Sequence, residues 1–229
     1  MSDTIRPAML QGGVAADGGG VLRPLGGFAR SRDPIAAARR ALVEAQKPDG
    51  HWLYPLEADA TITAEYVLLQ HFLGAIDALR EQRMARWLRA GQNAEGGWAL
   101  FADGESDLSA SVKAYFALKL AGDDPSAAHM RRARDLILGL GGAARVNVFT
   151  RFTLALFGQV PWRAVPVMPA EIMLLPRWFP FHLSKVSYWS RTVIAPLTIL
   201  MALKPRAINP RRIGLEELFT TPPEETTDY

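Results

Sequence analysis

Cysteine is absent from the 229 residues. Disulfides and thiolate metal sites are therefore excluded, and a reducing compartment fits the chain without being required. Long apolar runs are missing as well. The main apolar-rich stretch, Val193 to Leu203, has 11 residues and is interrupted by Pro196, whereas a membrane-spanning helix needs about 20. The first 32 residues hold no run that would serve as a signal-peptide core. Their glycines, at 12–13, 18–20 and 26–27, neither follow a strand nor open a helix, so residues 1–32 read as a flexible lead-in rather than a phosphate cradle. Histidine is scarce. His51, His71, His129 and His182 show no i, i+4 pairing, so no metal and no cofactor is expected. His129, among charged neighbours, reads as solvated, and His71 as a core histidine. No Gly-x-Ser-x-Gly elbow occurs. The acidic pairs Glu57/Asp59, Glu105/Asp107, Asp123/Asp124 and Glu224/Glu225 lie in turns or the tail, where capping and solvation explain them. The net charge is +3 with a pI near 9.4. This balance is compatible with an anionic membrane or nucleic acid and demands neither; no nucleic-acid partner is expected.

What the chain does have is a repeat. Gln46-Lys47-Pro48-Asp49-Gly50-His51-Trp52 and Gln92-Asn93-Ala94-Glu95-Gly96-Gly97-Trp98 carry Gln, acid, Gly and Trp at matching positions, 46 residues apart. Each follows an Ala/Leu/Arg-rich helical pattern. Periods of roughly 40–50 residues belong to stacked helical units that cannot bury their apolar faces alone. Asp33-Pro34 supplies an N-cap and a first-turn proline for a helix to about Gln46. Further helices are expected over Thr61 to about Phe72, Glu81 to about Ala90, and about Leu108 to Leu120. Tyr66 and Tyr115 correspond in the two units, the loop after Trp being three residues longer in the second. Asp124-Pro125 repeats the cap signal for a helix to about Leu138, stopped by Gly139, Gly141 and Gly142, and Val146 to Phe157 follows as another. The fold class is all-α, built of helical hairpins stacked or curled into a barrel.

From Pro161 prolines break the chain at short intervals, with Trp162, Trp178, Phe179, Phe181, Tyr188 and Trp189 crowded between them. A core helix after an irregular, packed loop is the favoured reading; a wall of a large apolar cavity, or a surface touching lipid, is the alternative. Residues 204–229 have little to bury and read as a linker-like tail. In the repeated turn a Gln amide can satisfy free backbone groups at the end of a neighbouring helix, and the Trp can stack over that amide and bury its ring. Gly permits a positive φ and a close approach. Gln46, Gly50, Trp52, Gln92, Gly96 and Trp98 thus read as structural fastening.

These Gln-x-x-x-Gly-x-Trp turns resemble the QW repeats of the squalene-hopene and oxidosqualene cyclases, the class II triterpene cyclases. The segments Ala64-Glu65-Tyr66-Val67-Leu68-Leu69, Asp107-Leu108-Ser109, Val148-Phe149-Thr150-Arg151, Pro161-Trp162, Pro169-Ala170-Glu171-Ile172-Met173 and Trp189-Ser190-Arg191 agree in order and spacing. The resemblance runs from about Asp33 to Pro223. It implies part of an α/α-barrel toroid (33–203 being the barrel portion) in an enzyme with two such domains around an apolar cavity, seated peripherally at the cytoplasmic side of the cell membrane. There an Asp-x-Asp-Asp acid protonates squalene, and aromatic rings stabilise the cation, a contact of about 2 kcal/mol or more when desolvated. A dry cavity prevents early quenching. By resemblance, Trp189 and Phe149 line that cavity, Glu65 is a polar residue near the acid's water network, and Ile194 lines the entrance channel.

The departures bear on function. No Asp-x-Asp-Asp occurs; Asp123-Asp124 is followed by Pro-Ser. Lys113 stands where some relatives carry an acid. The family's chain is much longer. The expectation is an N-terminal part of a squalene-hopene cyclase-type enzyme, supplying scaffold and cavity wall for a squalene-like isoprenoid substrate. It lacks the proton donor, so its partner is a complementary C-terminal polypeptide, and the piece itself would be soluble in the cytoplasm. The alternative is a non-enzymatic helical-repeat module that binds an isoprenoid lipid or a partner protein. A protein prenyltransferase β-subunit, a related barrel, is disfavoured because its zinc site needs a cysteine.

Overall fold

The computed structural model describes residues 33–53, 58–227 and 229. It divides after residue 56 into two compact units. In the first unit, α1 (Pro34–Ala45) begins as its sequence dictates: the Asp33 carboxylate accepts from the amides of Ile35 and Ala36, and Pro34 occupies the first turn, where no amide is needed. None of its residues is buried.

The second unit holds α2 (Ala60–Leu73), α3 (Ala78–Ala90), α4 (Leu108–Leu120), α5 (Ala128–Gly139), α6 (Val148–Leu156) and α7 (Tyr188–Leu203), joined by loops and short 3-10 turns. No strand forms among the described residues; one isolated bridge links Ala99 and Ser106. Burial alternates along the chain. α3 hides only Glu81, Ala85 and Leu88, and α5 only Met130, Ala133 and Ile137. Such one-stripe helices at i, i+3/i+4, i+7 spacing lie on the outside. α4 hides Ser109 to Leu118 and Leu120. It is the central helix, flanked by α2 through Ala60, Ala64, Val67 and Leu68 and by α3 and α5 on other sides. Light and heavy burial in alternation is what stacked hairpins produce, with inner helices sheltered by outer ones.

Both repeated turns have one geometry. In each, the Gln amide donates to the Gly carbonyl four residues on (Gln46 Nε2 to Gly50 O, 2.7 Å; Gln92 Nε2 to Gly96 O, 2.8 Å). In each, the indole N–H donates to a carbonyl in the last turn of the preceding helix (Trp52 Nε1 to Leu42 O, 2.6 Å; Trp98 Nε1 to Leu88 O, 2.8 Å). The roles are therefore divided differently from the sequence expectation: the Trp caps the helix end, and the Gln closes its own turn. In the second copy Gln92 also donates to His129 O of α5 at 2.9 Å and accepts from Arg132 at 3.0 Å. Gly96 has φ +98, and a Cβ there would stand 2.8 Å from the Arg132 side chain, so this turn must be glycine. Trp98 is 2 % exposed, while Trp52 is 46 % exposed.

Three expectations are corrected. Asp124-Pro125 does not start α5: the Asp124 carboxylate caps a turn at Ser126 N, and α5 opens at Ala128 without a side-chain cap. The helix at 193–203 begins five residues earlier, at Tyr188, because the Ser187 hydroxyl accepts from Ser190 N. It is not a core helix, since only Thr198 is buried on it. The stretch after 203 does not behave as a tail with little to bury. Leu215 and Leu218 are fully buried, and successive amides of Ala207, Ile208 and Asn209 donate to Leu156 O of α6, Phe72 O and His71 O of α2 (2.8, 3.1 and 3.1 Å).

The difference between the two turns is measurable. Trp98→Phe keeps an aromatic ring but removes the indole donor to Leu88 O, which retains the Gly91 amide at 3.2 Å, and should lower stability by about 0.5–1.5 kcal/mol; Trp98→Ala should cost about 3–5 kcal/mol. Trp52→Phe should cost less than half as much as Trp98→Phe. Urea unfolding followed by far-UV circular dichroism gives all three values.

Candidate functional site

The four residues singled out for a cavity lie on three helices: Glu65 on α2, Phe149 on α6, Trp189 and Ile194 on α7. Trp189 is 79 % exposed and Phe149 54 %; Glu65 is exposed and Ile194 half-buried. Among the described residues nothing encloses Trp189 or Phe149, which stand mostly in solvent. The Trp189 ring meets its neighbour Tyr188 edge-on, centroids 5.9 Å apart. Trp178, Phe179 and Phe181 form a second edge-on series at 6.0 and 6.1 Å, and Leu174, Trp178 and Phe181 are largely exposed. The 161–203 region thus presents an open apolar and aromatic surface. An aromatic face of this kind can hold an apolar ligand or stabilise a cation once water is excluded; open to solvent, it does neither strongly.

Glu65 is fixed from behind. Its carboxylate accepts from Lys113 Nζ of α4 at 2.5 Å, and Lys113 is only 6 % exposed. A lysine inside the most deeply buried helix needs a counter-charge, and Glu65 supplies it across the α2–α4 contact. The sequence marks both residues but does not join them, since they are 48 positions apart.

Two further charged clusters were invisible in the sequence. His71 and Glu81 are both buried, with His71 Nε2 2.6 Å from Glu81 Oε1. Arg211 closes on the same carboxylate with two bonds, at 2.9 and 3.1 Å, from 130 residues away. The expectation of a core histidine matches its burial; its partners carry no local signal. His129, expected to be solvated, instead bonds Asp123 at 2.6 Å, and Arg89 binds that carboxylate with both Nε and Nη2. Burial acts to raise the Asp123 carboxyl, but the bonds from Arg89 and His129 outweigh it and hold the group below its ordinary value. Glu217 behaves alike: burial raises it, and the bonds from Lys119 and Tyr115 bring it lower. The Tyr115 hydroxyl is pushed up by its own burial and by Glu217. Among the described residues no group of three or more His, Asp or Glu is placed to hold a metal ion.

Comparison with known proteins settles the lineage. Residues 35–229 match the family model described as the squalene-hopene cyclase N-terminal domain. The chain belongs to the squalene-hopene cyclase family. It is 57 % identical over 190 residues to the squalene–hopene cyclase of Bradyrhizobium diazoefficiens, covering 82 % of this chain and 29 % of that protein. With the Zymomonas mobilis cyclase it shares 58 % over 186 residues, 81 % of this chain and 28 % of the relative. With that of Alicyclobacillus acidocaldarius it shares 37 % over 194 residues, 85 % and 30 %. The chain thus spans less than a third of the length of these curated cyclases. The family model runs on through the stretch after 203, in agreement with its burial in the fold.

The lowered carboxyls of Asp123 and Glu217 contribute to the acid limb of stability. The unfolded chain takes up protons at an ordinary carboxyl value, about 3.9 for Asp, while Asp123 and Glu217 stay ionised to lower pH. Their contribution is full above the ordinary value and is lost as pH falls through the folded values. Urea midpoints should therefore drop steeply below about pH 4, and Asp123→Asn, less stable at neutral pH, should show a flatter pH dependence there.

Proposed function

We propose that this chain is the N-terminal part of a squalene-hopene cyclase-type enzyme, which converts squalene to hopene or hopanol by proton-initiated polycyclisation. It provides scaffold and one wall of the substrate cavity. The acid is provided elsewhere, since no Asp-x-Asp-Asp is present in the sequence, and the chain by itself is inactive. The observation that carries this reading is the open aromatic surface, with Trp189 and Phe149 uncovered, on a chain that matches less than a third of the length of relatives that bear the name of squalene–hopene cyclases.

In this reading Trp189 and Phe149 face the substrate, and the desolvated rings stabilise positive charge as it develops. Glu65, oriented by Lys113, joins the polar network near the acid, and Ile194 borders the entrance. The remaining polypeptide, in the same chain or a separate one, covers this surface and expels water. The assembled enzyme sits peripherally on the cytoplasmic side of the membrane, from which an isoprenoid substrate partitions into the cavity. No cofactor enters the reaction.

Incubation of the purified chain with squalene, with lipid extracts analysed by gas chromatography–mass spectrometry, tests the division of labour. No hopene should form from the chain alone, and hopene should appear when the complementary C-terminal polypeptide of a relative is co-expressed. Hopene from the chain alone overturns the reading. In the reconstituted enzyme Trp189→Ala should lower kcat at least tenfold, about 1.4 kcal/mol of barrier, more than Ile194→Ala does.

A further inference from the structure

Residues 204–218 form a strap with little regular structure of its own, ending in a 3-10 turn at Glu216–Leu218. What it touches is the C-terminal ends of helices. Within five residues it donates to carbonyls of three of them: Ala207 N to Leu156 O of α6, Ile208 N and Asn209 N to Phe72 O and His71 O of α2, and Arg211 Nη1 to Leu120 O of α4. Five residues reach at most about 18 Å, so these ends are gathered under one short stretch. The last carbonyls of a helix have no partner within the helix, and here one strap serves three helices.

The strap's path is held from outside. Among the described residues four non-glycines have left-handed φ, and three lie here: Lys204 (45°), Asn209 (42°) and Arg212 (51°). Such conformations persist only where surrounding contacts over-determine them. Two ion pairs of opposite polarity do so. At one, the acid is on the scaffold: Glu81 of α3 receives Arg211 from the strap and His71 of α2. At the other, the acid is on the strap: Glu217 receives Lys119 Nζ at 2.6 Å and Tyr115 Oη at 2.9 Å, both from α4. Arg134 of α5 is the other charge acting on Tyr115. Lys119 Nζ also donates to Gly214 O at 2.7 Å. Leu215 and Leu218 lie fully buried beneath, and Leu218 O passes within 3.0 Å of where a Cβ on Gly142 would be. α2 and α4, by contrast, pack directly on one another, and α2 buries Ala64, Val67 and Leu68.

We propose that residues 204–218 are a releasable clamp over the joined ends of α2, α4 and α6, which opens as one unit ahead of the helices when the Glu81–Arg211 and Glu217–Lys119 pairs are discharged, as by acid. Either carboxyl, once protonated, leaves a cation without its partner: Arg211 beside His71, or Lys119 beneath the strap. Opening bares three sets of helix carbonyls and two leucines while the helices keep their mutual packing, the signature of a local cooperative unit.

Hydrogen exchange of the full chain at pH 7, read by mass spectrometry, tests the clamp in Glu81→Gln, Glu217→Gln and the double variant. Peptides within 204–218 should exchange at least about tenfold faster in each, while peptides in α3 and α5 stay within about twofold of wild type. Equal acceleration across α2–α6, or none in the strap, overturns the proposal. Should Glu81→Gln be recovered only in unfolded form, the wild-type chain supplies a second measurement: brief pepsin exposure at stepwise lower pH. Cleavage around Leu215–Phe219 should precede cleavage within α2 and α4; simultaneous cleavage overturns the proposal.

Discussion

Unpartnered carbonyls at helix C-termini are the constraint around which this structure is built. Every helix leaves its last carbonyls without an internal partner, and a fold of short stacked helices has many such ends in a small volume. Two devices recur. α1 and α3 receive an indole N–H from the turn that follows them, Trp52 on Leu42 O and Trp98 on Leu88 O. α2, α4 and α6 receive donors from one strap that lies between about fifty and about a hundred and forty residues further along the chain. The first device is local and repeats with the hairpins. The second is long-range and occurs once.

The same division explains what the amino-acid pattern reveals. Gln92 to Trp98 closes on a helix that ends two residues before it, so its meaning is contained in a seven-residue motif and is legible from sequence. Helix positions were legible for the same reason: caps such as Asp33 and Asp107 act within three residues. Asp124-Pro125 misled because an Asp cap and a proline serve a tight turn equally well. The strap was illegible. Its leucines are few, its prolines and arginines suggest a solvated linker, and its partners Glu81 and Lys119 lie 130 and 98 residues away. Charge pairing over such distances leaves no periodicity to read. The candidate site residues rest on family resemblance, because Trp189, Phe149 and Glu65 share no spacing in the sequence and lie on three different helices.

Electrostatics follows from the packing. α4 is sheltered on nearly all sides, so each charge on it requires a specific partner: Lys113 finds Glu65 of α2, and Lys119 finds Glu217 of the strap. Buried pairs of this sort contribute modestly to stability but make the alternatives expensive, because removing one partner strands the other charge. They specify which helix lies beside which. Lys113 therefore has a structural reason to exist, as the buried cation that the Glu65 carboxylate balances.

The structure is complete over its helix ends and incomplete along α7. Where the strap lies, carbonyls, guanidinium and carboxylates are matched and the leucines are enclosed. Along α7 and the loop before it, Leu174, Trp178, Phe181, Tyr188 and Trp189 stay mostly in water, with hydrogen-bonded backbone but uncovered rings. Large apolar side chains exposed in such number along one stretch are a feature of binding surfaces. Local bonds help to shape this surface: Ser187 starts α7, and Tyr188 and Trp189 stack edge to edge. A wall prepared in this way can be presented to a partner or a ligand without first being ordered by it, which lowers the entropic cost of association. That economy suits a cavity assembled from separate parts of a long chain, where each wall must already have its shape when the parts meet.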